Sequence, residues 1–135
     1  MALIEWSEHY SVKVKNIDNQ HKKLVGLINE LHSAMREAHG KDVLGKILND
    51  LTDYTVFHFS TEEKLMKDNG YPGYIAHKSE HDKLTKQVSE LNDNLKSGKS
   101  VISQEVLFFL KDWLLNHIAV TDKKYSSFLN NKGIS

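Results

Sequence analysis

Four stretches of the chain place apolar residues at alternating steps of three and four, the spacing of a helix that buries one stripe. In the first, His21, Leu24, Ile28, Leu31 and Met35 follow one another, with Asp18 ahead of them as an N-cap and Gly40 behind; this predicts helix A from Asp18 to about His39. The second stripe, Leu44, Ile47, Leu51, Tyr54, His58, Glu62 and Leu65, stops at the turn-forming Asp68-Asn69-Gly70-Tyr71-Pro72-Gly73 and gives helix B. Helix C follows from Tyr74, His77, His81, Leu84, Val88, Leu91 and Leu95, and Ser97-Gly98-Lys99-Ser100 breaks it. Helix D begins near Ser103, a second candidate N-cap, continues through Val106, Leu110, Trp113 and His117, and has its last turns near Tyr125 and Phe128. Long helices joined by short loops pack as antiparallel neighbours. The pattern therefore predicts an all-α, up-down-up-down antiparallel four-helix bundle over residues 18–135, with residues 1–17, carrying Trp6 and Tyr10, as an N-terminal arm packed across it.

The same stripes hold residues that an apolar core excludes. A lone histidine on an apolar face is ordinarily a hydrogen-bonded core residue, but His21, His58, His77, His81 and His117 all take positions where leucine would pack better, and Glu62 takes another. Buried without partners, such groups would cost several kcal/mol, on the order of the stability of a whole domain of this size. Their places along the helices say what compensates them. His21 lies at the start of A, His58 and Glu62 late in B, His77 and His81 at the start of C, and His117 with Asp122 late in D. In an up-down-up-down bundle these positions share one end, so all seven side chains can converge on one pocket. Residues four apart point the same way, which makes His58 with Glu62, and His77 with His81, natural pairs of ligands.

Seven ligands are too many for one ion, since octahedral iron or manganese takes six and zinc usually four. Two metals are implied. If both carboxylates bridge and the histidines divide three and two, one metal is left a coordination position short, where a small ligand can bind. His117 and Asp122 are five apart, which in a regular α-helix turns the second side chain away from the first. A π-bulge or tightened turn is therefore expected between Ile118 and Thr121, and a regular helix there would undermine Asp122 as a ligand.

Composition narrows the chemistry further. The 135 residues include eight histidines, one proline and no cysteine. Disulfides, thiolate zinc sites, cysteine-ligated iron-sulfur clusters and cysteine nucleophiles are thus excluded, and a reducing cytoplasm is the easiest home. Lysine plus arginine and aspartate plus glutamate each number 18, so no net field draws the chain to nucleic acid or anionic lipid. The longest apolar run, Val106-Leu107-Phe108-Phe109-Leu110, is far too short to span a membrane. A soluble monomer is the expectation. His9, His32 and His39 stand outside the constellation and are read as surface residues, His39 at a helix C-terminus where the dipole favours a cation.

In order and spacing, His21, then His58-Phe59-Ser60-Thr61-Glu62, His77-Lys78-Ser79-Glu80-His81 and His117-Ile118-Ala119-Val120-Thr121-Asp122 resemble the complete ligand set of the hemerythrins, in particular their single-domain bacterial members. The likeness spans nearly the whole chain, from the Trp6 arm to Asp112-Trp113-Leu114-Leu115-Asn116-His117-Ile118. Ala119 departs from relatives that carry proline there, which leaves the cause of the helix D distortion open. The resemblance implies two iron ions, one held by His77, His81 and His117 and the other by His21 and His58, bridged by Glu62, Asp122 and an oxo or hydroxo group. It also implies reversible binding of dioxygen, as hydroperoxide, at the two-histidine iron, for carriage, storage or delivery to an oxygen-consuming enzyme; the protein would not itself be an enzyme. Leu24, Trp113, Leu114 and Ile118 match positions that line the oxygen pocket, where an apolar wall withholds protons from the bound ligand, and they also serve as ordinary core. Tyr125 either donates a hydrogen bond to the ligand shell or simply packs.

Other functions use other patterns. A ferritin-like di-iron oxidase takes four carboxylates and two histidines in Glu-x-x-His pairs, a form that none of these pairs has. A purely structural metal site would leave no open position. A sensor or scavenger of oxygen, nitric oxide or peroxide could use the same seven residues and is the alternative reading.

Overall fold

The computed structural model describes residues 3–37, 40–98 and 103–135. Helix α1 spans Lys15–Arg36, α2 Lys41–Asp68, α3 Tyr74–Lys96 and α4 Gln104–Asn116; one π-helical turn, His117–Asp122, then carries the chain into α5, Lys123–Asn131. Helix α4, the π turn and α5 form the fourth rod of the bundle. Helix α1 packs against α2 and α4, and α2 against α3, the antiparallel arrangement that the hydrophobic pattern predicts. No helix among the described residues is long and apolar enough to cross a membrane.

Local signals set most of the boundaries. At the end of α2, Gly70 adopts φ +70° while its N–H bonds to the Lys67 carbonyl at 3.2 Å and the Tyr71 N–H to that of Met66 at 2.9 Å. A left-handed glycine satisfies the last carbonyls of a helix in this way, and Pro72 cannot resume it. Ser103 caps α4, its Oγ accepting from the Val106 N–H at 3.3 Å.

Asp18 does not cap α1. The helix starts three residues earlier, so residues 15–17, assigned to the arm from the sequence, form its first turn. Asp18 reaches back instead: Oδ2 accepts from Ser11 Oγ at 2.6 Å and Oδ1 from the Val12 N–H at 2.8 Å. A carboxylate in a first helical turn faces the positive end of the dipole as well as any free N–H nearby, and here the free N–H belongs to the arm. The arm is tied at three further places. Asn29 exchanges two hydrogen bonds of 2.8 Å with the Ile4 backbone, Ser126 Oγ donates to the Val12 carbonyl at 2.5 Å, and Asn130 Nδ2 donates to that of Lys13 at 2.9 Å. Of the three histidines read as surface residues, His9 is exposed, His32 is half-buried and His39 lies outside the described residues.

The apolar interior is divided in two. The larger cluster includes Leu24, Ile28, Leu31, Leu48, Leu51, Phe59, Val88, Leu110, Leu114 and Ile118; the smaller contains Val12, Val14, Ile17, Met66, Tyr125 and Leu129. Along every rod a candidate ligand marks the boundary between the two. His21 separates Ile17 from Leu24, Glu62 separates Phe59 from Met66, His77 and His81 separate Tyr74 from Leu84, and Asp122 separates Ile118 from Tyr125. The polar layer therefore lies towards one end of the bundle, as the positions in sequence require, and is closed from below by a plug that the arm and α5 complete.

Candidate metal centre

All seven predicted ligands meet in this layer. His21, His58, Glu62, His77, His81, His117 and Asp122 are each no more than 4% exposed. Their ligand atoms form two groups, Glu62 with His77, His81, His117 and Asp122, and His21 with His58, Glu62 and Asp122; within each group every atom lies within 4.8 Å of every other. Both carboxylates belong to both groups. Asp122 turns Oδ1 to the first, 3.0 Å from His77 Nε2 and 2.9 Å from His117 Nε2, and Oδ2 to the second, 3.0 Å from His21 Nε2. Glu62 Oε1 lies 2.8 Å from His58 Nε2 and 3.6 Å from His81 Nε2, while Oε2 accepts the Tyr125 hydroxyl.

The π turn brings Asp122 into place. Its i→i+5 pitch aligns residues five apart, so His117 and Asp122 share the inner face that a regular helix would deny one of them. Ala119 lies inside the turn, which therefore forms without proline.

Hydrogen bonds on the outer edges fix which way the rings present their lone pairs. Gln20 Nε2 donates to Thr61 Oγ1 at 3.4 Å, and Thr61 in turn donates to the Phe57 carbonyl at 3.1 Å, so Gln20 Oε1 is left to accept from His58 Nδ1 at 2.7 Å. Glu63 Oε2 stands 2.9 Å from His81 Nδ1 and Glu80 Oε1 3.4 Å from His117 Nδ1. With their Nδ1 atoms donating outward, these rings direct Nε2 inward, with a free lone pair wherever the ring is neutral. His81 Nε2 and His117 Nε2 face each other at 3.1 Å. Phe59 stacks flat on His81, with ring centroids 3.9 Å apart, and holds it in that orientation.

Charge makes the same demand. Asp122 is wholly buried, which works against ionisation, yet the His117 charge and hydrogen bond hold its carboxyl well below the usual range. Burial also works against a charged His117, but Asp122 outweighs it and carries the ring up to about 9. His81 is pushed down to about 2 by burial and then by the neighbouring His117 and His77. One shared proton thus offsets part of the buried negative charge. Four candidate ligand atoms, His21 Nε2, His58 Nε2, Glu62 Oε1 and Asp122 Oδ2, are buried and make no hydrogen bond, although they lie close together. Nitrogen and oxygen lone pairs converging in this way, with no sulfur among them, fit divalent first-row cations.

Tyr125 is a donor here rather than mere packing. Burial and then the Glu62 and Asp122 charges hold its phenol well above the usual value, so it keeps its proton. Tyr125→Phe leaves Glu62 Oε2 buried and unsatisfied, and is expected to lower stability by about 1–3 kcal/mol in urea unfolding.

Leu24, Leu114 and Ile118 pack in the larger cluster, one turn or less along the chain from His21 and His117. Trp113 belongs to that cluster too, but it also lines a groove of about 480 Å³ between α3 and α4, together with Glu80, Phe109, His117 and Val120. The sequence reading missed Gln20, Phe59, Glu63 and Glu80. Each is the chain neighbour of a ligand, and that adjacency was the available signal.

Four antiparallel rods around a buried histidine-carboxylate cluster define a four-helix-bundle metal protein. The sequence matches the Hemerythrin HHE cation binding domain over residues 12–129. It is 37% identical to a bacteriohemerythrin of Methylococcus capsulatus, covering 96% of this chain and 99% of the relative. A bacteriohemerythrin of Pseudomonas aeruginosa is 38% identical, with 93% and 80% covered. A solved wild-type hemerythrin superposes with a TM-score of 0.88 at 38% identity, over 95% of this chain and 98% of that one. The chain belongs to the hemerythrin family.

Proposed function

We propose that this hemerythrin holds two iron ions joined by an oxo or hydroxo bridge and binds dioxygen reversibly, for carriage, storage or delivery, without acting as an enzyme on it. The observation that carries this reading is the division of the cluster into two ligand groups that share both carboxylates. His77, His81 and His117 would hold one ion, His21 and His58 the other, and Glu62 and Asp122 both. By count, three histidines with two carboxylates and a bridge complete six positions, whereas two histidines leave one free. The iron pair supplies the reversible change of oxidation state on which oxygen binding depends.

The protein's own part is to protect that site. Leu24, Trp113, Leu114 and Ile118 keep water and protons from the open position, and an apolar wall slows irreversible oxidation. Tyr125 keeps Glu62 in its bridging orientation. The cysteine-free composition suits the cytoplasm, where the protein, as a monomer, would hand dioxygen to an oxygen-consuming enzyme.

The test is the visible spectrum of the anaerobically reduced, iron-loaded protein as air is admitted and removed. Bands that appear with air and fade on deoxygenation through several cycles support a carrier. Immediate and irreversible conversion to the ferric form contradicts it.

A further inference from the structure

The histidines differ in what stands behind them. In the three-histidine group, His81 Nδ1 faces the Glu63 carboxylate at 2.9 Å, and His117 Nδ1 faces that of Glu80 at 3.4 Å, where Thr121 Oγ1 also donates at 3.0 Å. Lys78 Nζ lies 3.9 Å from the other Glu63 oxygen, and Glu80 is 43% exposed to solvent. In the two-histidine group, His58 Nδ1 meets the neutral amide oxygen of Gln20 at 2.7 Å, and His21 Nδ1 is buried with no hydrogen-bond partner. An anion behind an imidazole draws on its Nδ1 proton and makes Nε2 a stronger donor to a metal than a neutral amide does. The two positions share the same carboxylates, so this outer contrast adds to the difference in histidine number.

Building on the two-metal reading above, we propose that Glu63 and Glu80 are positioning residues that rank the two metal positions, so that the three-histidine ion is held more tightly and the two-histidine ion is the first to leave. The ranking is built into neighbours of the ligands in sequence: Glu63 follows Glu62, Glu80 precedes His81, and Gln20 precedes His21.

The full chain loaded with two equivalents of cobalt(II) and challenged anaerobically with graded chelator tests this, since the cobalt visible bands report each ion's ligands. The wild type is expected to release its ions in two steps. Glu63→Gln keeps an acceptor for His81 but removes the charge, and is expected to weaken the tighter step about tenfold while leaving the looser one in place. Gln20→Glu is expected to strengthen the looser step by a similar factor, and a gain of this kind cannot come from misfolding. Equal shifts of both steps in these variants, no shift in either, or loss of both ions from the wild type in one indivisible step overturns the proposal. Failure of the wild type to take up two cobalt ions strikes instead at the two-metal reading, and sinks the ranking with it.

Discussion

Asp122→Ala is expected to abolish binding of the metal pair, with iron content falling from two ions per chain to one or fewer after gel filtration. Its two oxygens meet three of the rings at short range: one lies within 3.0 Å of His77 and His117, and the other within 3.0 Å of His21. Alanine removes a donor from each metal position at once, and with it half of the buried negative charge that draws cations in. Loss of an outer-shell partner alone weakens metal binding by roughly 10–100-fold, so loss of a shared ligand is expected to cost at least about a hundredfold. Asp122→Asn keeps the shape and one oxygen and is expected to fall between alanine and the wild type. Two tightly held ions in Asp122→Ala would mean that this carboxylate does not bridge.

Stripping the metal is expected to lower the melting temperature by about ten degrees or more. Glu62 and Asp122 are at most 1% exposed, and one shared proton offsets only part of their charge, so the folded state without cations carries an uncompensated cost. A ligand present at a thousandfold excess over its Kd contributes about 4 kcal/mol to the folded state, and for a domain of this size each kcal/mol moves the midpoint by roughly 3–5 °C. Scanning calorimetry of iron-loaded and chelated protein measures the difference directly. Equal midpoints would place any bound metal outside the buried layer.

Much of this site could be read from the chain. The three-four stripes gave the four rods, because burying one face is what makes each helix stable. The histidines betrayed themselves by occupying leucine positions in those stripes. The five-residue step from His117 to Asp122 was informative because it conflicts with α-helical pitch, and the π turn resolves the conflict.

What escaped the sequence depends on how the rods rotate against one another. Glu63 and Glu80 look like solvent-facing charges beside a ligand, and only the meeting of α3 with α2 and with the π turn sets each of them behind a ring. Asp18 carries a residue type that caps helices, but the free N–H groups within its reach belong to the arm, so the helix begins before it. Tyr125 left two possibilities open until its hydroxyl was seen on Glu62. The plug beneath the ligand layer joins Val12 and Val14 to Met66 and Leu129, residues too far apart in sequence for any local pattern to pair them.

The central claim, that this cluster holds two ions sharing two carboxylates, is tested most directly by anomalous diffraction at the iron absorption edge from crystals of the iron-loaded protein. Two peaks are predicted between the apolar clusters, one among His77, His81 and His117, the other beside His21 and His58, with Glu62 and Asp122 reaching both. A single peak, or iron bound away from these seven side chains, would contradict it.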